Sequence, residues 1–291
     1  MSVETEPAAP GQSVLRTAYQ QSVAAYWDAK RDPVNLRLGE VDGFYHHHCG
    51  VGEHDASALQ VPAELRDQAV VAEMHRLENG QADLLLDHVG VIQPGDRLLD
   101  AGSGRGGTSL MANLRFGSAV DGVCISAAQV QFANDQAAAR GVADRVRFHY
   151  RNMLDTGFAT GSRQVIWTNE TTMYVGLHEL YREFARLLRG GGRYVCITGC
   201  SNDVTGGRSR AVSQIDQHYT CNIHPRSEYF KAMAANDLVP ITVIDLTRAT
   251  IPYWELRAGS SVATGIEDAF LTAYREGSFH YLLIVADYVG R

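Results

Sequence analysis

The sequence contains no long apolar run, no excess of basic residues and no C-x-x-C pair of cysteines. No stretch approaches the ~18 apolar residues that a membrane span needs, and the N-terminus lacks the basic and apolar regions of a secretory signal. The net charge is −7, and acidic and basic residues are mixed along the chain, which argues against a nucleic-acid partner. We therefore expect a cytoplasmic protein that binds neither membranes nor nucleic acids.

The five cysteines are odd in number, and none forms a C-x-x-C pair. This usage favours reduced thiols and argues against a disulfide framework or a zinc cluster. The triplet His46 to His48 is a weak metal candidate, because consecutive residues of an extended segment alternate sides and no further His or Cys lies at ligand spacing. The 291 residues suffice for one large α/β domain with additions or for two small domains.

The most informative stretch is a glycine-rich turn at residues 102–107, which directly follows an apolar run that ends in Asp100. This pattern predicts a buried strand, a tight loop and a helix over residues 108–115, whose free backbone N–H groups point towards a ligand above the loop. Glycine is needed because at least one position takes a positive φ and because a side chain would keep a ligand from the backbone.

The nature of that ligand depends on Asp100. Gly102, Gly104 and Gly107 also fit the G-x-G-x-x-G pattern of dinucleotide-binding proteins, so the glycines alone do not decide. An acid two residues before the first glycine is typical of enzymes that use S-adenosylmethionine (SAM), where it lies near the cationic methionine end; dinucleotide folds usually have a small apolar residue there. We favour SAM, with a nicotinamide or flavin cofactor and a purely structural turn as the alternatives.

Strand and helix patterns alternate along most of the chain. Further strands are predicted over 119–125, 146–150, 164–168, 193–198, 241–246 and 281–287, the last antiparallel at an edge, and helices over 14–30, 62–90, 127–140, 177–188 and 262–274. We expect a loop over residues 33–50, a break in the long helix at Gly80 and helical pieces over residues 213–236. Strands separated by helices predict right-handed crossovers and a doubly wound, mostly parallel sheet.

This order of elements is that of a class I SAM-dependent methyltransferase, a Rossmann-like α/β fold, with an N-terminal helical cap and an insertion after the fifth strand. We expect a disordered tail at residues 1–12, a cap segment at 13–80 and a methyltransferase domain at 81–291. The insertion at 201–240 is expected to cover the active site.

Ligands of such sheets lie outside the carboxyl ends of the strands, so the cofactor candidates come from those ends. The candidates are Asp100, Ala101, Gly102, Gly104 and Gly106 for the methionine end and ribose edge, Gln81 beside the loop, and Asn152 and Met153 for adenine. The second strand ends in Cys124, where an acid normally accepts hydrogen bonds from the ribose hydroxyls. Gln129 can replace that acid because its amide both accepts and donates; the alternative is a solvated helix residue.

Residues 77–81, 99–107 and 126–129 resemble methyltransferases that act on alkenes, including the cyclopropane fatty acid synthases and the sterol methyltransferases. Over nearly the whole chain the sequence looks most like the geranyl diphosphate C-methyltransferases, with the closer match in residues 35–39, 45–48, 169–174, 221–224 and 252–257. The resemblance implies methylation of carbon 2 of geranyl diphosphate, which starts 2-methylisoborneol biosynthesis, with Mg²⁺ on the diphosphate. It also implies a homo-oligomer, with a hexamer as the suggested state.

Methylating an alkene leaves a positive charge on the neighbouring tertiary carbon, so the substrate pocket needs an anion site, aromatic rings, a base and no water. Glu170, just after the fourth predicted strand, is the candidate base, and its alternative role is to cap a helix. Tyr174 and Tyr219 are the candidate π faces for the cation. The family commonly has Phe at the position of Tyr219.

Asn35 and Arg37 are the candidates for holding the diphosphate, because they lie together in an irregular segment and Arg37 offers a fixed fork of phosphate contacts. Tyr45 or His46 would add a hydrogen bond. No aspartate-rich cluster is present, so we expect Mg²⁺ to be held by the diphosphate and water, with no direct protein ligand. The open alternatives are a methyltransferase for another prenyl diphosphate or an alkene lipid and, in another class, a nucleotide-binding dehydrogenase or sensor.

Overall fold

The computed structural model describes residues 13–29, 33–203 and 208–290, without the side chains of residues 33–35. The expected disordered tail at residues 1–12 lies outside the described residues. No helix in these ranges is long and apolar enough to cross a membrane.

A seven-stranded sheet with the strand order β3-β2-β1-β4-β5-β7-β6 runs through the centre of the molecule. The strands are β1 (Arg97–Ala101), β2 (Ala119–Cys124), β3 (Val146–Tyr150), β4 (Arg163–Asn169), β5 (Leu188–Ser201), β6 (Leu238–Asp245) and β7 (Phe279–Tyr288). β1 to β5 pair in parallel, whereas β7 is antiparallel to both β5 and β6. The predicted doubly wound, mostly parallel sheet is therefore confirmed.

The position of β7 differs from the prediction. β7 was expected at an edge of the sheet, but it lies between β5 and β6, and β6 forms the edge. The burial of the two strands gives the physical reason. The middle of β7 is buried at every position, as in a strand covered on both faces, whereas every second residue of β6 is exposed.

Helices cover both faces of the sheet. They are α1 (Ala18–Ala29), α2 (Pro33–Gly39), α3 (Arg66–Asp87), α4 (Gly107–Phe116), α5 (Ala127–Ala139), α6 (Leu177–Leu187), α7 (Arg210–Tyr219), α8 (Arg226–Ala234), α9 (Thr247–Ala258) and α10 (Glu267–Arg275). Short 3-10 turns stand before α3, at Ala63–Leu65, and before α6, at Thr172–Tyr174. Because side chains of a strand alternate, Leu98 packs in the core on one face and Leu99 in the core on the other.

Three helical segments were predicted incorrectly. Residues 33–39 form α2 and not a loop; a proline at the first helical position is tolerated because its missing N–H would have no helical partner there. α3 continues through Gly80, because its buried side, which includes Met74 and Leu85, outweighs the weak helix propensity of one glycine. α9 was not predicted, since Pro252 lies in its interior.

The cap segment and the sheet share one apolar core. α3 runs across the boundary expected between residues 80 and 81, and its Leu77 and Leu85 belong to the same cluster as Val120 of β2. The insertion supplies α7 and α8, and Ile215 of α7 belongs to this cluster with Phe270 of α10. The cap, the insertion and the C-terminal helices therefore all reach the carboxyl ends of the parallel strands.

Candidate active site

A first cavity, with about 790 Å³ of empty space, lies at the carboxyl ends of β1, β2 and β4. Its lining includes Asp100 of β1, residues 102–105 of the glycine loop, Gln129 of α5 and Met153 after β3. This is the position where the strand order reverses and where doubly wound sheets bind their ligands. A few polar groups converge here on largely apolar walls, as in sites for small molecules.

The loop between β1 and α4 requires glycine. Gly102, Gly104 and Gly106 have φ angles of 87°, 53° and 87°, in the region that other residues rarely adopt. A Cβ atom on Gly102 would also lie 2.5 Å from Cγ2 of Thr171. The loop therefore carries no side chain at these three positions, and its backbone and the first turn of α4 are exposed to the cavity.

Asp100 is a buried carboxyl group in the wall of this cavity. Its side chain is 3% exposed, and it accepts a hydrogen bond of 2.7 Å from Oγ of Ser109 in α4. Burial raises the pKa of Asp100 to about 7, because the charged form loses hydration. A cationic ligand beside Asp100 would offset that loss, so the site fits the positively charged methionine end of SAM.

Gln129 lies in the wall of the cavity and is 4% exposed, so it is not the solvated helix residue of the alternative interpretation. Its Nε2 is 3.5 Å from Nε2 of His47, and its Oε1 is 3.5 Å from Sγ of Cys124. These weak contacts leave the amide available to a ligand, which is the geometry that the proposed ribose contact requires.

Four cofactor candidates lie behind the cavity and not in its lining. Ala101 accepts a hydrogen bond from Oγ1 of Thr171, and Gly106 caps α4. Asn152 donates to the carbonyl oxygen of Val14. The fourth candidate, the fully buried Gln81, donates from Nε2 to Oδ1 of Asn169 and to the hydroxyl of Tyr281. These residues support the wall, and none of them is among the residues that line the cavity.

α1 closes the first cavity from outside. Val23 and Trp27 of α1 belong to its lining. The helix is tied down by Asp28, whose Oδ1 accepts hydrogen bonds of 2.6 Å from Oγ of Ser126 and 3.1 Å from the backbone N–H of Ala128. Because these groups stand at the N-terminus of α5, the helix dipole also favours the carboxylate.

A second cavity, with about 720 Å³ of empty space, adjoins the first. The two cavities share part of their lining, namely Trp27, His47, His48, Glu170 and Tyr174. The rest of the second cavity is mainly apolar and aromatic: its lining includes Met173, Ile215, Tyr219, Ile223, Trp254, Phe270, Tyr274, Phe279 and Tyr281. Its floor contains the stacked pair of Trp254 and Phe270, whose ring centroids are 3.8 Å apart. It therefore suits a hydrocarbon ligand and a cation stabilised by π faces.

Glu170 occupies the shared wall directly after β4. Its Oε1 accepts three hydrogen bonds: 2.9 Å from the backbone N–H of Cys49, 3.1 Å from its Sγ, and 2.5 Å from the hydroxyl of Tyr281. Its φ of 51° is rare for a residue other than glycine, and strained backbone of this kind is frequent at functional sites. Burial raises the pKa of Glu170, so the carboxylate holds a proton more readily than one in water.

The two predicted π faces, Tyr174 and Tyr219, are among the lining residues of the second cavity. The ring of Tyr174 stands edge-on to Trp27, with centroids 6.0 Å apart. The ring of Tyr219 stands edge-on to Phe270 at 6.2 Å. Both rings therefore belong to one aromatic wall that extends from Trp27 of α1 to Phe270 of α10.

The residues predicted to hold a diphosphate are placed differently. The guanidinium of Arg37 donates to Oδ2 of Asp67 at 2.8 Å and to Oγ of Ser261 at 2.9 Å, and Arg37 lines neither cavity. The side chain of Asn35 lies outside the described residues. The basic side chain in the lining of the second cavity is Arg257 of α9, whose Nε is 2.9 Å from Oε1 of Glu267.

Tyr45 and His46 lie at the first cavity and not at the second. The carbonyl oxygen of Tyr45 accepts a hydrogen bond from the backbone N–H of Gly107, and Nε2 of His46 lies 2.9 Å from Oδ1 of Asn79. The segment thus packs against the glycine loop. Across the described ranges no group of three or more His, Cys, Asp or Glu side chains is arranged to hold a metal ion, and Mg²⁺ binding through a diphosphate stays a prediction.

Sequence reasoning missed several residues of the shared wall and the second cavity. They are Trp27, His47, His48, Cys49, Arg257 and Tyr281. The segments 45–48 and 252–257 belong to the blocks of closer resemblance and could have directed attention to three of these residues. Tyr281 lies in a strand whose pattern is simply apolar, so no local signal distinguishes it.

Comparisons with known proteins agree with this geometry. A family model described as a methyltransferase domain matches residues 98–192. The chain is 60% identical to the geranyl diphosphate 2-C-methyltransferase of Saccharopolyspora erythraea over 273 residues, which cover 94% of this chain and 96% of the relative.

Two solved structures extend the match to three dimensions. Geranyl diphosphate C-methyltransferase from Streptomyces coelicolor, in complex with Mg²⁺, geranyl-S-thiolodiphosphate and S-adenosyl-L-homocysteine, superposes with a TM-score of 0.94 at 54% identity and covers 95% of this chain and 100% of that chain. A geranyl diphosphate methyltransferase in complex with GPP and sinefungin gives a TM-score of 0.92 at 55% identity, covering 93% and 100%. The resemblance seen in the sequence motifs is confirmed, and this chain belongs to the geranyl diphosphate 2-C-methyltransferase family.

Proposed function

We propose that this chain transfers the methyl group of SAM to carbon 2 of geranyl diphosphate and releases 2-methylgeranyl diphosphate. The observation that carries the proposal is the wall shared by the two cavities, where Glu170 lies between the cavity of Asp100 and the glycine loop and the aromatic cavity. The relative from Saccharopolyspora erythraea is named for this activity. The two solved relatives hold sinefungin or S-adenosyl-L-homocysteine together with geranyl diphosphate or its S-thiolo form.

The first cavity holds SAM, which supplies the methyl group. Asp100 faces the cationic methionine end, and the bare backbone at Gly102 and Gly104 allows close approach. Gln129 bonds to the ribose hydroxyls and Met153 contacts adenine in this proposal, which their position in the lining of the first cavity supports. Trp27 covers this cavity and the next one, so that both ligands are shielded from water in the same closed state.

Glu170 is the base of the reaction. When carbon 2 gains the methyl group, the electron pair of the C2=C3 double bond is used and carbon 3 becomes a tertiary cation. The Glu170 carboxylate then removes the proton on carbon 2, and the electrons of that C–H bond re-form the C2=C3 double bond. Each hydrogen bond given above goes to Oε1, so Oε2 is the oxygen that takes the proton.

The aromatic wall stabilises the cation until the proton is lost. Tyr174 and Tyr219 offer π faces, each worth about 0.5–2 kcal/mol towards a cation. A water molecule at carbon 3 would convert the cation to an alcohol, so the apolar side chains around it also protect the product. The carboxylate of Glu170, in the shared wall, adds electrostatic stabilisation.

Arg257 anchors the diphosphate, because it is the arginine that lines the second cavity. Its partner Glu267 holds the guanidinium plane in place. Arg37 is a second contact to the diphosphate if its guanidinium leaves Asp67. The contacts of Asn35, Tyr45 and His46 with the diphosphate stay predictions. Mg²⁺ acts together with the diphosphate, since oxygen ligands of that kind and water satisfy its coordination.

The cellular setting follows from the family. We propose that the chain works in the cytoplasm as a homo-oligomer, with a hexamer as the suggested state, and that its product enters 2-methylisoborneol biosynthesis. These are proposals from the resemblance, and size-exclusion chromatography with light scattering tests the oligomeric state directly.

The test is an incubation of the purified chain with SAM, geranyl diphosphate and Mg²⁺, followed by product analysis by NMR. We expect a single product methylated at carbon 2, no product from geraniol, and loss of activity in chelator that added Mg²⁺ restores. Farnesyl diphosphate and an unsaturated phospholipid serve as alternative substrates in parallel incubations. Equal turnover of geraniol, full activity in chelator, or preference for the phospholipid would refute the assignment.

A further inference from the structure

The base Glu170 is connected to a chain of hydrogen bonds that runs from Tyr281 at the second cavity through the buried Gln81 to Asn169 at the first. The hydroxyl of Tyr281 in β7 lies 2.5 Å from Oε1 of Glu170. Nε2 of Gln81 in α3 donates to the same hydroxyl at 2.7 Å and to Oδ1 of Asn169 at 2.7 Å. Asn169 Nδ2 donates back to Oε1 of Gln81 at 2.8 Å.

This arrangement determines the direction of the bond between Tyr281 and Glu170. Because Gln81 donates to the oxygen of Tyr281, the hydroxyl hydrogen is free to point to the carboxylate. An ionised carboxylate only accepts hydrogen bonds, so the hydroxyl of Tyr281 donates to Glu170 and its oxygen accepts from Nε2 of Gln81. With this orientation the carbonyl oxygen of Gln81 accepts from Asn169. Tyr281 therefore approaches Glu170 as a donor.

We infer that Tyr281, held by Gln81, is a positioning residue for Glu170: its hydroxyl keeps Oε1 turned into the wall, leaves Oε2 for the substrate, and holds the carboxylate ionised until it removes the proton. The inference rests on the proposed role of Glu170 as the base. It assigns Gln81, which the sequence placed at the cofactor, to the base instead.

Burial supports a need for such a donor. A carboxylate taken out of water prefers to be protonated, and a protonated Glu170 could not act as a base. Burial raises the pKa of Glu170, whereas the hydrogen bonds from Tyr281 and Cys49 act in the opposite direction. Tyr281 itself stays protonated, because burial raises its pKa well above the ordinary value.

Other ionisable groups also face Glu170 and contribute to its proton affinity. Cys49 donates from the loop after α2, Arg257 of α9 acts through its charge, and Tyr274 of α10 lies within electrostatic range. The thiol of Cys49 also contacts the hydroxyl of Tyr281. A variant at position 281 therefore removes the donor to Glu170 together with this contact, while the backbone N–H of Cys49 still donates to Oε1.

The experiment measures the pH dependence of kcat with saturating substrates, because its acidic limb reports the proton affinity of the base in the complex. Tyr281→Phe removes the donor, and we expect the acidic limb to move up by about one pH unit, a tenfold increase in proton affinity. Tyr281→fluorotyrosine keeps the ring and makes the hydroxyl a stronger donor, so the limb should move down. Opposite shifts of the two variants are the signature of the proposed contact.

Tyr253→Phe is the matched control. Tyr253 is a buried tyrosine of α9 whose hydroxyl donates at 2.8 Å to a buried carboxylate, Glu78, and neither residue lines a cavity. This variant removes the same kind of bond and should leave the acidic limb unchanged. An equal shift in Tyr253→Phe, or an unchanged limb in both variants at position 281, would overturn the inference.

A second readout does not depend on catalysis. Infrared difference titration without substrate follows the carbonyl stretch of protonated Glu170, which is identified by its disappearance in Glu170→Gln. The midpoint should rise in Tyr281→Phe and fall with fluorotyrosine. If the wild-type chain methylates no geranyl diphosphate but these midpoints move, the proposed function fails while the hydrogen-bond contact stands; if the midpoints do not move, the contact itself is refuted.

Discussion

Replacing Glu170 with glutamine separates the chemistry of the base from its shape. The amide of Glu170→Gln keeps a carbonyl oxygen for the donors from Cys49 and Tyr281, so both cavities keep their walls. It removes the proton acceptor and the negative charge opposite the cation. We expect turnover to fall by ~10²–10⁴-fold, the usual contribution of a positioned base, which corresponds to ~3–5 kcal/mol of transition-state stabilisation.

The same variant should be at least as stable as the wild type at neutral pH. Burial raises the folded-state pKa of Glu170 above its ordinary 4.5, so the unfolded chain loses this proton first as the pH rises. Below pH 4.5 protonated Glu170 makes its full contribution to the free energy of unfolding. That contribution is lost as the pH rises through the folded-state pKa. The melting temperature of Glu170→Gln relative to wild type should therefore increase from acid to neutral pH.

Three measurements test this reasoning together. Calorimetry should give SAM and geranyl diphosphate affinities close to wild type, single-turnover kinetics should give the loss in rate, and thermal unfolding at acid and neutral pH should give the stability difference. Glu53→Gln, an exposed carboxylate in the loop before α3, is the control and should change neither rate nor stability. Turnover near wild type with the same product would place the base elsewhere, and a stability difference that does not depend on pH would refute the argument from burial.

Two further predictions concern the ligand sites. Gly104→Val should abolish SAM binding in calorimetry, because a branched residue is strained at a φ of 53° by about 1–3 kcal/mol and its side chain enters the cavity. If the folded variant binds SAM within a few-fold of wild type, the loop assignment is refuted. Arg257→Lys should raise KM for geranyl diphosphate by ~10–100-fold. Arg37→Ala should have the smaller effect, because the guanidinium of Arg37 contacts Asp67. The reverse order would assign the anion site to Arg37.

The sheet could be predicted from the sequence because its signals are local. Buried strands alternate with helices that glycine residues follow, and this alternation is visible in the sequence. The predicted bounds of β3, Val146–Tyr150, are those of the structure. The failures involve competing local and tertiary effects. Gly80 and Pro252 both discourage a helix locally, yet both lie inside helices whose buried sides pack on the core.

The cofactor site was more predictable than the substrate site for a physical reason. Asp100 and the glycine loop are adjacent in sequence, and their chemistry follows from one strand, one turn and one helix. The second cavity is assembled from side chains far apart in the chain, such as Cys49 and Tyr281. Arg37 illustrates the limit: its charge was visible in the sequence, but its partner Asp67 on α3 was not.

Helix α1 contributes to the walls of both cavities, and the proposed reaction requires this shared wall. Trp27 lines both cavities, and the next residue, Asp28, accepts two hydrogen bonds that fasten α1 to the start of α5, beside Gln129 in the wall of the first cavity. A cation formed in the second cavity would be quenched by water, so the proposed methyl transfer requires that α1 shields both cavities. Because Trp27 of α1 lines both cavities, the helix that covers the cofactor space also keeps water from the substrate space.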